Sequence, residues 1–224
     1  MNIDHDIKLD FDDVLLVPQR SLSASRKEVE TNRRFKFYHS DKEWFGQPIM
    51  ASNMDTTGSF GMGNALARNE MITCLHKHYD TPKICGYFNY YNVEPYVWVS
   101  IGMKDDDILK LRNIARELGH CPNICIDIAN GYTEKFTDWC LKIRKEFSES
   151  IIMAGNVATP DMVSELILHG GVDIVKVGIG PGSACTTRLK SGVGYPQLSC
   201  ISECAHAAHG LRSDIERLGL ICAD

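Results

Sequence analysis

Residues 123–177 read NICIDIANGYTEKFTDWCLKIRKEFSESIIMAGNVATPDMVSELILHGGVDIVKV, and this stretch decides the fold class. Three short apolar runs, NICID (123–127), SIIMA (150–154) and DIVKV (173–177), alternate with two stretches of helical periodicity. Continuous apolar strands that alternate with amphipathic helices are typical of parallel βαβ units. In the second helical stretch, Thr159 is expected at the N-cap and Pro160 at the first helical position.

The same alternation extends in both directions. Further strands are predicted at PIMAS (48–52), ITCLH (72–76), VWVSI (97–101) and LGLICAD (218–224), and the first six begin 23 to 27 residues apart. A doubly wound sheet and a (β/α)8 barrel share this pattern. The steady period, and the polar and glycine residues directly after many strands, favour an α/β fold of the (β/α)8 TIM-barrel class.

The predicted domain organisation is a single barrel domain over residues 1–224. FDDVLLVP (11–18) and RRFKFYHS (33–40) are expected to form an N-terminal β-hairpin within an extension over residues 1–45, packed on the barrel. Seven of the eight strands are found, and a barrel typically needs about 250 residues. We therefore expect the 224 residues to be an incomplete barrel, a fragment of a longer chain.

The composition is that of a globular protein, with 44% hydrophobic and 24% charged residues and a net charge of −5. There is no apolar run of about 18 residues, no signal-peptide core and no basic stripe, which argues against membrane and nucleic-acid partners. The nine cysteines are irregularly spaced and are expected to be reduced thiols in a cytoplasmic protein. Cys200, Cys204, His206 and His209 do not share one helix face, so zinc is not expected.

The segment GIGPGSACTTRLKSGVGYP (178–196) carries the chemistry. Its glycines allow backbone N–H groups to form an anion nest, to which the Ser183 hydroxyl could add a donor. The carbonyl groups could equally hold a monovalent cation. Cys185 lies between hydroxyl groups and close to Arg188, which indicates a nucleophilic thiol. An inert thiol in a glycine-rich turn remains an equal alternative from the residues alone, and no reaction can be named.

GIGPGSACTTR (178–188) followed by GVGYPQL (192–198) resembles the catalytic loop of the GMP reductases, and more distantly that of the IMP dehydrogenases of the same family. The resemblance covers essentially the whole chain. The other matching segments are LDFDDVLLVPQRS (9–21), PIMASNMDTTG (48–58), HKHY (76–79), IDIANGY (126–132) and IMAGNVAT (152–159).

The resemblance implies reductive deamination of GMP to IMP. Cys185 would attack C2 of the purine, ammonia would leave a covalent thioimidate, and NADPH would then deliver a hydride. Thr187 would relay a proton to the ammonia, with a glutamate beyond residue 224 as its partner. Ser183 would contact the phosphate and Asp224 the ribose hydroxyls.

The resemblance also implies a cofactor site, a potassium ion and a homotetramer. The nicotinamide end of NADPH would be held by Asp127, Ile128, Ala129, Ile179 and Gly180. Across a subunit boundary, Ser25, Arg26 and Lys77 would reach the same cofactor. Potassium would be held by Gly180 and Gly182, with Cys185 and Arg188 contributing.

Two other functions stay open. An IMP dehydrogenase-like oxidoreductase would use the same cysteine chemistry, although the regulatory insertion of that enzyme is absent between strands two and three. An inactive nucleotide-binding fragment of the reductase is the other alternative. Asp127 at a strand end could also simply cap the following turn.

Overall fold

A computed structural model describes residues 5–211 and 217–223. The strands are β1 (Arg33–Lys36), β2 (Glu43–Gly46), β3 (Met50–Ala51), β4 (Ile72–Leu75), β5 (Val97–Ile101), β6 (Ile124–Asp127), β7 (Ile152–Val157), β8 (Ile174–Val177) and β9 (Leu220–Ala223). The helices are α1 (Phe60–Ala67), α2 (Thr81–Tyr90), α3 (Asp105–Leu118), α4 (Glu134–Glu146), α5 (Pro160–Leu168), α6 (Thr187–Ser191) and α7 (Gln197–Gly210).

The seven strands β3 to β9 form one parallel sheet in which each strand pairs with its successor in the chain. A doubly wound sheet reverses its strand order at a switch point, whereas this order never reverses. A sequential parallel sheet with intervening helices has the topology of a TIM barrel. The predicted (β/α)8 class, with seven of eight strands in this chain, is confirmed.

The N-terminal hairpin is present, but the sequence prediction assigned one of its two strands wrongly. β1 pairs with β2, so that Phe35 lies opposite Trp44, and the segment FDDVLLVP (11–18) takes no part. Its first three residues form a 3-10 turn, because the Asp13 carboxylate accepts the Asp10 N–H at 2.7 Å. Pro18 lacks an N–H group for a strand ladder, and the residues between form no regular strand.

The N-cap side chains of α2 and α5 have different partners. The Asp80 carboxylate accepts the Lys83 N–H at 3.0 Å and so caps α2. Thr159 stands at the N-cap of α5 with Pro160 after it, but its hydroxyl bonds to the Tyr132 hydroxyl at 3.1 Å. The Thr159 side chain therefore ties α5 to the loop after β6 instead of capping the helix.

The core has two layers, because alternate side chains of each buried strand point to opposite faces of the sheet. Outside the sheet, side chains such as Ile126 and Val175 pack against the helices. Inside the curved sheet, Trp98 and Met153 pack with Trp44 of the hairpin. Within the described ranges, we find no helix of the length and apolar character needed to cross a lipid bilayer.

Candidate active site

The loop after β8 lines a cavity of about 660 Å³ at the carboxyl ends of the strands, here called the site cavity. This is the end of a parallel barrel at which active sites are built, and the volume suits a small-molecule ligand. Its wall combines residues from the segment before β1 (here called the N-terminal segment), the loop after β3, the loop after β8 and the first residue of α7. They are Asp10, Phe11, Asp12, Ser52, Met54, Gly180, Pro181, Gly182, Ala184, Cys185 and Gln197.

Glycine is required at the beginning of this loop. Gly178 has φ +126°, and a Cβ atom there would lie 2.7 Å from the Gln197 amide nitrogen. The Gln197 side chain donates to the Val177 carbonyl at 3.2 Å, so it holds the end of β8 against α7. The chain can therefore turn from β8 into the loop because position 178 is a glycine, which has no side chain to collide with Gln197.

Cys185 and Thr187 lie together on the exposed part of the loop. The Cys185 thiol donates to the Thr187 hydroxyl oxygen at an Sγ–Oγ1 distance of 3.3 Å. The Cys185 N–H donates to the Gly182 carbonyl at 3.0 Å, which closes the turn that carries Ser183. The two residues predicted to be catalytic are thus neighbours, with the thiol on the wall of the site cavity.

Arg188 has a different environment from the one expected beside the thiol. Its guanidinium donates to the Asp10 carboxylate at 2.9 Å, to the Ile179 carbonyl at 3.2 Å and to the Tyr195 carbonyl. The positive charge is therefore paired with Asp10, a residue to which the sequence prediction gave no role. The backbone carbonyl of Arg188 accepts the Gly192 N–H at 3.0 Å.

A partly buried ion pair inside the barrel includes the predicted cofactor residue Asp127. The Lys176 ammonium lies 2.6 Å from the Asp127 carboxylate and 3.5 Å from the Asn53 side-chain oxygen. Lys176 is buried, and Asn53 lies between Ser52 and Met54 of the cavity wall. Lysine is rarely buried without a charged partner, so its position in the apolar run DIVKV was the signal that sequence reasoning passed over.

Of the other predicted cofactor residues, Ile179 and Gly180 lie in the loop after β8, and the rest fall into two groups. Ile128 and Ala129 continue from β6, and the Ile128 N–H donates to the Gly155 carbonyl of β7 at 3.0 Å. Lys77 is exposed after β4, and its carbonyl accepts the Lys110 ammonium at 2.9 Å. Ser25 and Arg26 lie on the exposed N-terminal segment and are not among the residues that line the site cavity. Asp224 lies outside the described residues.

The loop offers a suitable donor set for a monovalent cation, the ion that the resemblance implies. Gly180 has φ +62°, and the carbonyls of Gly180, Gly182 and Cys185 belong to the same glycine-rich loop. Neutral backbone carbonyls are the donors that potassium prefers. The Gly182 carbonyl already accepts the Cys185 N–H, but a carbonyl oxygen has a second lone pair. The residues present therefore fit such an ion.

Comparisons with known proteins identify relatives over nearly the whole chain. Residues 91–219 match the profile of the IMP dehydrogenase / GMP reductase domain. Proteins named GMP reductase from Shewanella pealeana and Tolumonas auensis are each 51% identical over 96% of this chain. The chain spans 62% of the length of these curated relatives.

A solved structure is also similar. The crystal structure of inosine 5′-monophosphate dehydrogenase from Legionella pneumophila matches with a TM-score of 0.77 and 27% identity. The match covers 97% of this chain and 69% of the other. The fold described above is therefore shared with a solved member of the same group of enzymes.

Proposed function

The chain belongs to the IMP dehydrogenase/GMP reductase family, and we propose that it acts in purine interconversion as an NADPH-dependent GMP reductase. The observation that carries the proposal is the exposed thiol of Cys185, a residue on the wall of the site cavity, which lies 3.3 Å from the Thr187 hydroxyl. Relatives named GMP reductase at 51% identity support the choice of reaction. Nine free cysteines support a reducing, cytoplasmic setting.

In the proposed mechanism, Cys185 acts as the nucleophile. Its thiolate attacks C2 of the GMP purine, the bond from C2 to the amino group breaks, and the departing amine takes up a proton to leave as ammonia. The purine is then bound to Cys185 as a thioimidate. A thiolate suits both halves of the cycle, because it is a good nucleophile and a competent leaving group.

NADPH, when bound, supplies the hydride that C2 accepts as the Cys185 thiolate leaves and IMP is released. Asp127 is proposed to orient the nicotinamide end, because its carboxylate is held in one direction by Lys176 at 2.6 Å. The other residues proposed for this end are Ile128, Ala129, Ile179 and Gly180. The exposed cations Lys77 and Arg26, with Ser25, are proposed to take the 2′-phosphate end from a neighbouring subunit of a homotetramer.

Thr187 is proposed to pass the proton to the leaving amine, since its hydroxyl lies beside the attacking sulfur. Ser183 lies in the turn closed by the Cys185 N–H and is proposed to contact the GMP phosphate. Asp224 is proposed to contact the ribose. A potassium ion held by the carbonyls of Gly180, Gly182 and Cys185, with that of Arg188, would stiffen the same turn.

The test is turnover combined with trapping of the covalent intermediate. In the native polypeptide that carries this sequence, we expect GMP-dependent NADPH oxidation with release of ammonia, and an acid-quenched adduct whose mass maps to the peptide containing Cys185. Cys185→Ser should lose both, whereas Cys222→Ser should keep both. NAD-dependent oxidation of IMP without ammonia release from GMP would instead establish the dehydrogenase alternative, an enzyme with which this chain shares its fold. Binding of GMP without either reaction would identify a nucleotide-binding fragment.

A further inference from the structure

We propose that Asp10 is a positioning residue for the catalytic loop, acting through Arg188 and through the beginning of α7. This inference rests on the proposed function of the loop but concerns a residue outside it. Asp10 belongs to the N-terminal segment and is separated from Arg188 by 178 positions in the sequence. One carboxylate oxygen of Asp10 accepts a hydrogen bond from Arg188, and the other accepts one from the Gln197 N–H.

The first partner connects Asp10 to both ends of the loop. Asp10 Oδ2 accepts the Arg188 Nη1–H group at 2.9 Å. The other guanidinium nitrogens donate to Ile179, at the beginning of the loop, and to Tyr195, near its end. The rigid guanidinium fork thus joins the two ends of the loop, and Asp10 fixes the direction of that fork.

Close packing around the Arg188 stem supports this account. A Cβ atom on Gly194 would lie 2.6 Å from Arg188 Cγ, and one on Gly180 would lie 3.3 Å from the same atom. The loop backbone therefore wraps directly around the Arg188 side chain. A change in the direction of the guanidinium would move the turn that carries Cys185, since Cys185 lies only three residues before Arg188.

The second partner is the first backbone N–H group of α7. Asp10 Oδ1 accepts the Gln197 N–H at 2.5 Å, and the N-cap residue Pro196 provides no side-chain cap. A carboxylate at this end of a helix satisfies a free donor and interacts favourably with the helix dipole. The hydrogen bond from the Gln197 N–H lowers the pKa of Asp10 most, and the hydrogen bond and positive charge of Arg188 lower this pKa further. Asp10 therefore carries a negative charge at neutral pH.

The two residues before Asp10 also bind to α7. The Leu9 N–H donates to the Ser199 hydroxyl at 2.9 Å, and the Ser199 N–H donates to the Leu9 carbonyl at 3.1 Å. Lys8 forms an ion pair with Glu203 at 2.9 Å. The segment is thus fixed to α7 by contacts that do not involve Arg188. These contacts allow the Asp10–Arg188 bond to be removed without detaching the segment.

The test compares Asp10→Asn with Glu203→Gln in the native polypeptide that carries this sequence. Asp10→Asn removes the charge facing Arg188. Glu203→Gln removes the charge facing Lys8 but keeps a side-chain oxygen that can accept the Tyr195 hydroxyl, which donates to Glu203 at 2.8 Å. We expect Asp10→Asn to lower kcat by about 10²-fold, the scale for a reacting group misplaced by about 1 Å, with little change in the KM for GMP. Glu203→Gln should keep the wild-type kcat, and Asp10→Glu should recover part of the loss.

Hydrogen–deuterium exchange provides a readout that does not depend on turnover. Peptides covering residues 178–196 should exchange faster in Asp10→Asn than in Glu203→Gln, while strands β5 to β7 stay protected in both. If the wild-type protein does not reduce GMP, the proposed function fails and the exchange experiment still decides the role of Asp10.

Unchanged exchange in the loop, unchanged kcat, or a loss found entirely in KM would overturn the inference. If Asp10→Asn does not fold, Arg188→Lys replaces it, because lysine keeps the charge but cannot bridge the two ends of the loop. Slower turnover with faster loop exchange is then expected, and wild-type behaviour of Arg188→Lys would refute the proposal.

Discussion

Cys185 differs from the other cysteines in its exposure. It is exposed on the loop, whereas six of the nine are buried and the other two are half-buried. Burial raises the pKa of Cys85 to about 11 and that of Cys121 to about 12, which leaves both thiols protonated at neutral pH. Thiolates, not thiols, react with alkylating reagents.

We therefore predict that iodoacetamide modifies Cys185 faster than any other cysteine of the folded protein, and that GMP protects it. Peptide mass spectrometry over a time course measures the nine rates separately. Protection by GMP but not by adenosine monophosphate would connect the labelled thiol with the purine site. Equal rates at all nine positions would count against a covalent mechanism.

Thr187 provides the second prediction at this scale. In the native polypeptide that carries this sequence, Thr187→Ala should lower turnover by about 10²-fold, the scale of general acid–base catalysis. GMP affinity should barely change, because proton relay matters mainly in the transition state. Steady-state kinetics and direct binding of GMP separate the two effects.

Thr186→Ala is the matched control, since Thr186 is the neighbouring exposed hydroxyl and its side chain does not cap α6. Thr187→Ser keeps the hydroxyl and should retain most of the activity. If Thr187→Ala loses GMP affinity while its turnover survives, Thr187 is a binding residue.

At the scale of elements, the strands of the barrel could be predicted because strands buried on both faces carry continuous apolar runs. The predicted strands NICID, SIIMA and DIVKV correspond to β6, β7 and β8, and the predicted and observed strand ends differ by at most three residues. The run FDDVLLVP is equally apolar but forms no strand, because an Asp13 side chain closes a turn at its beginning. Apolar character predicts burial in a sheet only where the backbone finds a neighbouring strand.

The candidate site was predictable in part. The glycines and Cys185 belong to one contiguous motif, so sequence reasoning could identify the loop. Asp10 and Lys176 meet their partners only after folding, across 178 and 49 positions of sequence. Spacing along the chain carries no information about such pairs, and only the three-dimensional arrangement reveals that they support the loop and Asp127.

Another ion pair joins elements at the opposite end of the barrel from the site cavity. Arg144 of α4 forms an ion pair with Asp173 at 2.5 Å, and the two side chains are 9% and 0% exposed. Arg144 also donates to the carbonyls of Gly171 and Ser150, and Asp173 accepts the Ile152 N–H of β7 at 2.9 Å. The pair thus fixes α4 to the amino ends of β7 and β8.

We predict that Arg144→Met lowers the free energy of unfolding by about 3–5 kcal/mol, because it leaves the Asp173 carboxylate buried without its partner. Urea unfolding at neutral pH measures the change in midpoint and slope. Adding Asp173→Asn to Arg144→Met should recover part of the loss, since no buried charge then remains. Arg112→Met breaks the exposed pair with Glu146 and should shift the midpoint much less. Equal shifts for Arg144→Met and Arg112→Met would contradict this account.

At the scale of the whole molecule, the parallel sheet of the described residues has two edges, β3 and β9. Between them lies a second cavity of about 650 Å³, whose wall is mostly apolar. The hairpin contributes Phe35, Phe37 and Trp44, the edge strands contribute Met50, Leu220 and Ile221, and α7 contributes Ile201 and Ala205. A barrel avoids such edges by closing on itself, whereas open apolar edges favour association between chains.

The last prediction concerns the polypeptide of residues 1–224 expressed by itself. We expect it to associate, because the sheet of its described residues has two open edges. We also expect no GMP-dependent NADPH oxidation, because a catalytic unit that lacks one member commonly loses most of its rate. Full-length GMP reductase of Shewanella pealeana is the positive control, and its segment matching the 217 aligned residues should lose activity in the same way. Light scattering measures association, and NADPH absorbance measures turnover. Steady GMP-dependent oxidation by a monodisperse 1–224 polypeptide would contradict the prediction, because the residues between β3 and β9 would then suffice for the whole reaction.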